Sequence, residues 1–274
     1  MKPAISQVCT LHTPFQQDLE DYSAGACRHV ELWLGKLETY LDQHTPSDVI
    51  ALLAEQEISA PVASYQGGLL LSQGDARREH WAHFAKRLEL CAALNVETLV
   101  LVGDISGPLS EQDLQRVQVS LVQAAQQALP FGVRLAFEFQ AKAAFANNLQ
   151  TAAALVEACG ATNLGLCLDV FHFFHGPSKT EDLNYLTTEN LFHVQFCDCL
   201  GCTRELATDA DRILPGDGDF LLQPVVERLT QINYQGLVAL ELMNPAIWKI
   251  SPRQVGEVGL TALRKTLGQA HMGA

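Results

Sequence analysis

Glu138, Asp169, Gln195 and Glu241 fall at or next to the ends of four short apolar runs: R-L-A-F-E-F (134–139), L-G-L-C-L-D (164–169), F-H-V-Q-F-C (192–197) and L-V-A-L-E-L (237–242). Three carboxylates and an amide oxygen are the donors that a hard divalent cation takes. If the runs are strands, successive side chains face opposite ways, and parity tests whether the polar residues point to one place. Glu138 shares a face with Ala136, Asp169 with Cys167 and Gly165, Gln195 with His193, and Glu241 with Ala239. The opposite faces carry Leu135, Phe137 and Phe139, then Leu166 and Leu168, then Val194 and Phe196, then Leu240 and Leu242. Those bulky faces suit packing against outer helices.

Any one of these residues alone reads as a strand-end side chain hydrogen-bonded to loop backbone. Matched parity on all four favours convergence, and converging buried carboxylates repel unless something neutralises them. The four are therefore the expected metal ligands. An oxygen-only set favours Mn²⁺ or Mg²⁺, tolerates Co²⁺ and ranks Zn²⁺ lower, because zinc prefers nitrogen and sulfur.

The elements that position them recur along the chain. Similar β-rich runs at 5–11, 29–34, 61–65 and 97–102 precede the four already named, with helical patterns between them. The clearest helix is expected from Glu111 to Leu129, where Leu114, Val117, Leu121 and Ala125 repeat at helical spacing. Ser110 followed three residues on by Asp113 marks its start as a capping box. Strict alternation implies parallel strands joined by crossovers. Eight such units in 274 residues predict one α/β domain over 1–274, a (β/α)8 TIM barrel, with its chemistry at the C-terminal ends of the strands. No glycine-rich phosphate loop follows any of the runs.

Composition narrows the partners. The net charge is −13 with no basic run, which disfavours nucleic acid. No stretch approaches the ~20 apolar residues of a membrane span, and the N-terminus lacks a secretory pattern. Eight cysteines without such a signal suggest reduced thiols and a cytoplasmic location. Cys197, Cys199 and Cys202 lie close together, but no second C-x-x-C exists to complete a four-cysteine zinc site, so they read as plain thiols. Cys9, Cys91, Cys159 and Cys167 sit in apolar or helical segments and read as core packing. His80 and His83 read as a solvated helix face. Glu31, Trp33, Tyr65 and Gln66 have strand positions that would line a pocket, and Asp198 has the wrong parity for the metal but could orient Arg212 or the following loop.

L-A-F-E-F-Q, L-D-V-F-H-F-F-H-G-P-S, H-V-Q-F-C-D, T-D-A-D-R-I-L-P-G-D-G-D-F and V-A-L-E-L-M-N-P, in this order, resemble the xylose-isomerase-like TIM-barrel superfamily. They are most similar to its sugar phosphate isomerase/epimerase group, related to inosose and 3-dehydroshikimate dehydratases and hydroxypyruvate isomerases. The resemblance is specific over about residues 130–245 and only a matter of pattern before that. It implies the same four metal ligands, with Glu138 and Glu241 also acting as the acid/base pair and with His172 and Arg212 contacting substrate. Gln195 departs from the histidine of epimerase-type relatives, and His175 from their frequent arginine.

The implied activity is metal-dependent isomerisation or epimerisation of a small polyhydroxy ketone or sugar, with or without a phosphate, through a metal-stabilised enediolate. A dehydratase of inosose or 3-dehydroshikimate type would use the same residues. A non-catalytic sugar-binding barrel is the remaining alternative. The fold also hosts an apurinic-site endonuclease, which the acidic charge and the shortage of histidines at the first strand ends disfavour. A homo-oligomer is compatible with the sequence. The long segment from Cys199 to Phe220 is expected to close as a lid that carries Arg212.

Overall fold

The computed structural model describes residues 1–269, so 270–274 of the expected domain lie outside the described residues. Eight strands follow one another in a closed barrel: β1 (Lys2–Ser6), β2 (His29–Trp33), β3 (Ser59–Gln66), β4 (Thr98–Val102), β5 (Arg134–Glu138), β6 (Leu164–Asp169), β7 (Leu191–Phe196) and β8 (Leu237–Leu240). Helices separate them, as the alternation predicts. No described helix is long and apolar enough to cross a membrane.

The chain forms two compact units, Met1–Val62 with Val194–Ala274, and Ala63–His193. In the first, β1 is parallel to both β2 and β8, with Ser6 opposite Glu31 and Ala4 opposite Ala239. β7 is parallel to β8, with Gln195 opposite Ala239. The Glu241 amide donates to the Phe196 carbonyl at 2.9 Å, extending that ladder just past the end of β8. The Pro252–Thr266 helix lies so close to β8 that a Cβ on Gly259 would stand 2.5 Å from Leu240 Cδ2.

The first strand corrects the sequence reading. Residues 5–11 were expected to be extended, but the strand ends at Ser6 and Gln7–Thr10 form a buried 3-10 turn. A tertiary contact overrides the strand-like composition. Lys36 Nζ donates to the Thr10 carbonyl at 2.7 Å and the Gln7 carbonyl at 3.4 Å, while Gln7 Oε1 accepts from the Trp33 amide at 3.0 Å. Lys36 also pairs with buried Asp18. Burial pushes the Asp18 carboxyl up to about 7 against the opposing pull of Lys36.

In the second unit β4, β5 and β6 are parallel, with Val102 opposite Glu138 and Glu138 opposite Cys167. The expected helix runs from Glu111 to Ala128. Its capping box is formed, with the Asp113 amide donating to Ser110 Oγ at 3.3 Å and the Ser110 amide to Asp113 Oδ2 at 2.9 Å.

Candidate metal and active site

The second unit brings together Glu138, Asp169 and His172. Glu138 is the last residue of β5 and Asp169 the last of β6. Asp169 is also the N-cap of the short Val170–His175 helix, its Oδ1 accepting from the Phe171 amide at 2.9 Å. One turn into that helix, His172 turns back so that Nε2 lies 3.3 Å from Glu138 Oε1 and 3.4 Å from Asp169 Oδ2. One ligand-capable atom from each of the three residues falls within 4.8 Å of the others, and all three residues are buried. Gln140 Nε2 donates to Glu138 Oε1 at 2.5 Å.

These donors suit a divalent cation. Two buried carboxylates facing one imidazole need a counter-charge, and His172 Nδ1 is itself buried without a hydrogen-bond partner among the described residues. His172, expected at the substrate, thus lies in direct contact with two of the expected ligands. His175 packs its ring on Phe171, 4.3 Å between centroids, and its Nδ1 lies 3.1 Å from the Phe171 carbonyl.

The first unit brings together Gln195, Glu241, Arg212 and Glu31. Gln195 Nε2 donates to Glu241 Oε1 at 2.9 Å and to Glu31 Oε1 at 3.1 Å. Arg212 Nη1 lies 3.0 Å from Glu241 Oε2, while its Nε and Nη2 donate to Asp209 Oδ1 at 2.9 and 2.8 Å. Arg212 is only 1% exposed. It reaches this position on a segment that is tied down. Asp198 and Ile213 exchange backbone hydrogen bonds at 2.9 Å in both directions. The Asp198 carboxylate also accepts from the amides of Cys199, Gly216 and Phe220 at 2.9, 2.9 and 3.0 Å. A Cβ on Gly218 would stand 2.3 Å from Asp198 Oδ1, so only glycine fits there. Asp198 therefore organises this loop, the role its parity suggested. In the same loop Leu200 and Leu206 are exposed, at 61% and 75% accessible.

Beside β2, a cavity of about 550 Å³ is lined by His12, Trp33, Lys36, Tyr40 and His44 among others. Of the residues expected to line a pocket, Trp33 does so, Glu31 joins Gln195, and Tyr65 and Gln66 lie at the end of β3. His80 is less solvated than expected, with Nδ1 2.9 Å from the Gly68 carbonyl, whereas His83 is exposed. His193 is fully buried.

None of the eight cysteines forms a disulfide. Burial, reinforced by the neighbouring Cys202 thiol, pushes Cys199 up to about 12. Cys197 is buried with its Sγ 3.8 Å from Arg212 Nη1. Cys9, Cys91 and Cys167 are buried, in keeping with core packing, while Cys159 is only partly covered.

Asp209, Gln140 and Ser6 were missed as partners of the site residues. Asp209 had a signal, the i,i+3 spacing to Arg212 in T-D-A-D-R. Ser6 had none, because its register with Glu31 depends on where β1 ends.

The family model for the xylose isomerase-like TIM barrel matches residues 22–265. An inosose isomerase of Halalkalibacterium halodurans is 28% identical over 260 residues, covering 93% of this chain and 92% of that protein. A 3-dehydroshikimate dehydratase of Pseudomonas aeruginosa is 26% identical over 275 residues, covering 96% of this chain but only 41% of that protein. Among solved structures, the IolI protein with a bound zinc atom superposes with a TM-score of 0.91 at 22% identity, covering 100% of both chains. The closed parallel barrel and the family match agree, and the chain belongs to the xylose isomerase-like TIM-barrel family.

Proposed function

We propose that residues 1–274 form one catalytic barrel, a divalent-metal-dependent isomerase or epimerase of a small cyclic polyhydroxy ketone of the inosose kind. The observation that carries this reading is the buried Glu138–Asp169–His172 cluster at the ends of β5 and β6. Glu138 and Asp169 are the proposed ligands, with His172 beside them, while Gln195 and Glu241, which the other unit brings together, remain candidate ligands on strand parity alone. Mn²⁺, Mg²⁺ or Co²⁺ suits the oxygen donors. The imidazole beside them, and the zinc in the IolI structure, move Zn²⁺ up from its low rank. The ion would supply Lewis acidity to adjacent carbonyl and hydroxyl oxygens of the substrate.

The chain's own groups account for the rest. Removing a proton next to a ketone needs a positioned carboxylate, and Glu138 and Glu241 are the candidates. Gln140 holds Glu138 at 2.5 Å, and Arg212 with Gln195 holds Glu241 at 3.0 and 2.9 Å, so neither carboxylate is free to swing. Arg212 remains the candidate for a substrate oxygen, and His172 can donate to a substrate hydroxyl. The aromatic cavity beside Trp33 suits the apolar face of a polyol ring. Its lysine, Lys36, is occupied by Asp18 and two carbonyls, so this cavity offers no ready cation for a phosphate. The inosose isomerases among the relatives support an unphosphorylated ring.

The test is incubation of the metal-loaded protein with an inosose in D2O, followed by NMR. Deuterium incorporated next to the carbonyl, together with a new ketone isomer, is the expected result. A bound inosose with no exchange would favour a binding barrel and sink the catalytic reading. The similarity to a 3-dehydroshikimate dehydratase supports a second reading, elimination of water, which would show instead as a conjugated enone absorbing in the ultraviolet.

A further inference from the structure

Three element ends bring basic side chains to one place in the first unit. Lys2 opens β1, Arg28 and His29 stand at the entry to β2, and Arg264 lies in the last turn of the Pro252–Thr266 helix. Together with Gln269 they line a cavity of about 280 Å³. Lys2 is opposite Leu237, the first residue of β8, so the cavity lies where these strands begin. Glu241 is at their other end, four residues and roughly 13 Å of strand rise beyond Leu237.

In a chain with 18 Lys and Arg against 31 Asp and Glu, basic side chains have carboxylates to spare as partners. These are poorly supplied. Among the described residues, no side-chain hydrogen bond or ion pair engages Lys2 or Arg264. Arg28 has Glu57 at 3.4 Å, but both side chains are more than half exposed, and such pairs hold weakly. His29 Nδ1 is buried with no hydrogen-bond partner among the described residues. Burial, and then the Lys2 ammonium, hold the His29 pKa below its ordinary value, so the ring feels the neighbouring charge. Like charges gathered round a cavity repel, and a bound anion relieves the repulsion while using their N–H donors. The partial negative charge at a helix C-terminus explains Arg264 in part. It does not explain Lys2 and Arg28, which stand at strand entries.

We propose that this cavity binds a small phosphate monoester, at the opposite end of the strands from Glu241. Arg28 and Arg264 offer planar forks of N–H donors suited to phosphoryl oxygens, Lys2 adds a point charge, and His29 adds a ring nitrogen. Three fixed positive charges match a phosphoryl dianion better than a carboxylate. The volume lies near the lower end for small-molecule sites, which favours a phosphoryl group on a few carbons over a nucleotide. Chemistry in this fold belongs to the C-terminal ends of the strands, so a ligand held here is bound and not turned over. The site is independent of the metal reading and of the unphosphorylated substrate proposed for it.

The experiment is calorimetric titration of the full chain with glycerol phosphate, inorganic phosphate and glycerol, run on wild type, Arg264→Gln, Lys2→Gln and Arg253→Gln. Arg253 is on the same helix as Arg264 but pairs with Glu257 and does not line the cavity. Its loss changes the net charge equally without touching the site. Wild type is expected to bind one glycerol phosphate per chain with a Kd below about 1 mM. Arg264→Gln and Lys2→Gln should each weaken it about tenfold, the loss of one charge-assisted contact. Arg253→Gln should stay within about twofold, because salt screens a distant surface charge. Lys2 is exposed, so Lys2→Gln carries the test even if Arg264→Gln folds poorly. Inorganic phosphate should bind more weakly than the ester, and glycerol not at all. Phosphate bound as tightly as the ester overturns the assignment of a monoester. No binding to wild type, or equal loss in all three variants, overturns the site.

Discussion

Asp169→Asn should fold, yet lose its divalent ion and on the order of 10³-fold or more in turnover, the equivalent of several kcal/mol of lost electrostatic stabilisation. Asp169 has two duties that the substitution separates. As the N-cap of the Val170–His175 helix, its Oδ1 accepts from the Phe171 amide, and asparagine can keep that bond. As a proposed metal donor it would contribute a charge, which asparagine lacks. Asp169→Ala should therefore lose the ion and also destabilise the protein by about 1 kcal/mol, the usual cost of removing an N-cap. Glu138→Gln should resemble Asp169→Asn, because the amide can still meet Gln140 and His172 but no longer offers a carboxylate. Metal titration, melting and the D2O exchange assay measure the three effects separately. Asp169→Asn retaining both ion and rate within a few-fold would remove this residue from the site.

Lys36→Met should cost about 3–5 kcal/mol of stability, because it leaves a buried carboxylate without its cation. Asp18 is fully buried, and apart from Lys36 its recorded partner is Thr10 Oγ1 at 2.9 Å. The pH dependence follows from the direction of the shift. Burial already holds the wild-type Asp18 carboxyl at about 7, above its ordinary 3.8, with Lys36 pulling the other way. A carboxyl raised in the folded state contributes fully below the unfolded value and loses that contribution as pH rises through the folded one. In the wild type this decline should level off near pH 7. Removing Lys36 raises the folded value further, so in the variant the decline continues beyond pH 7 at about 1.4 kcal/mol per pH unit. Denaturant unfolding at several pH values checks this. Replacing both partners, as Lys36→Met with Asp18→Asn, should recover much of the loss. A Lys36→Met protein as stable as the wild type, with no steeper decline above pH 7, would mean the pair contributes nothing.

Much of the barrel was legible because its signals are local. Periodicity marked seven of the eight strands, and Ser110 with Asp113 marked a helix start that the structure forms with both reciprocal bonds. The first strand was misplaced because what ends it is not local. Ile5–Leu11 has strand-like composition, but the carbonyls of Gln7 and Thr10 are taken by a lysine more than twenty residues away. Strand parity grouped Glu138, Asp169, Gln195 and Glu241; the structure brings Glu138 and Asp169 together with His172 and, in the other unit, Gln195 together with Glu241. Parity could not show that Glu31 would take an N–H from Gln195, because that contact spans 164 positions of sequence. Nor could spacing show Arg212 buried against Glu241. Its loop is held by the carboxylate of Asp198, and that geometry depends on three backbone amides and on the room left by Gly218.

The proposed holders of the divalent ion are the strand-end carboxylates and not the cysteines. Elemental analysis of the purified protein, together with a variant in which Cys197, Cys199 and Cys202 are serine, tests this most directly. About one Mn, Mg, Co or Zn per chain is expected in both proteins, consistent with one donor cluster. Zinc that is present in the wild type and absent from the serine variant would contradict it and place the metal in the loop after β7.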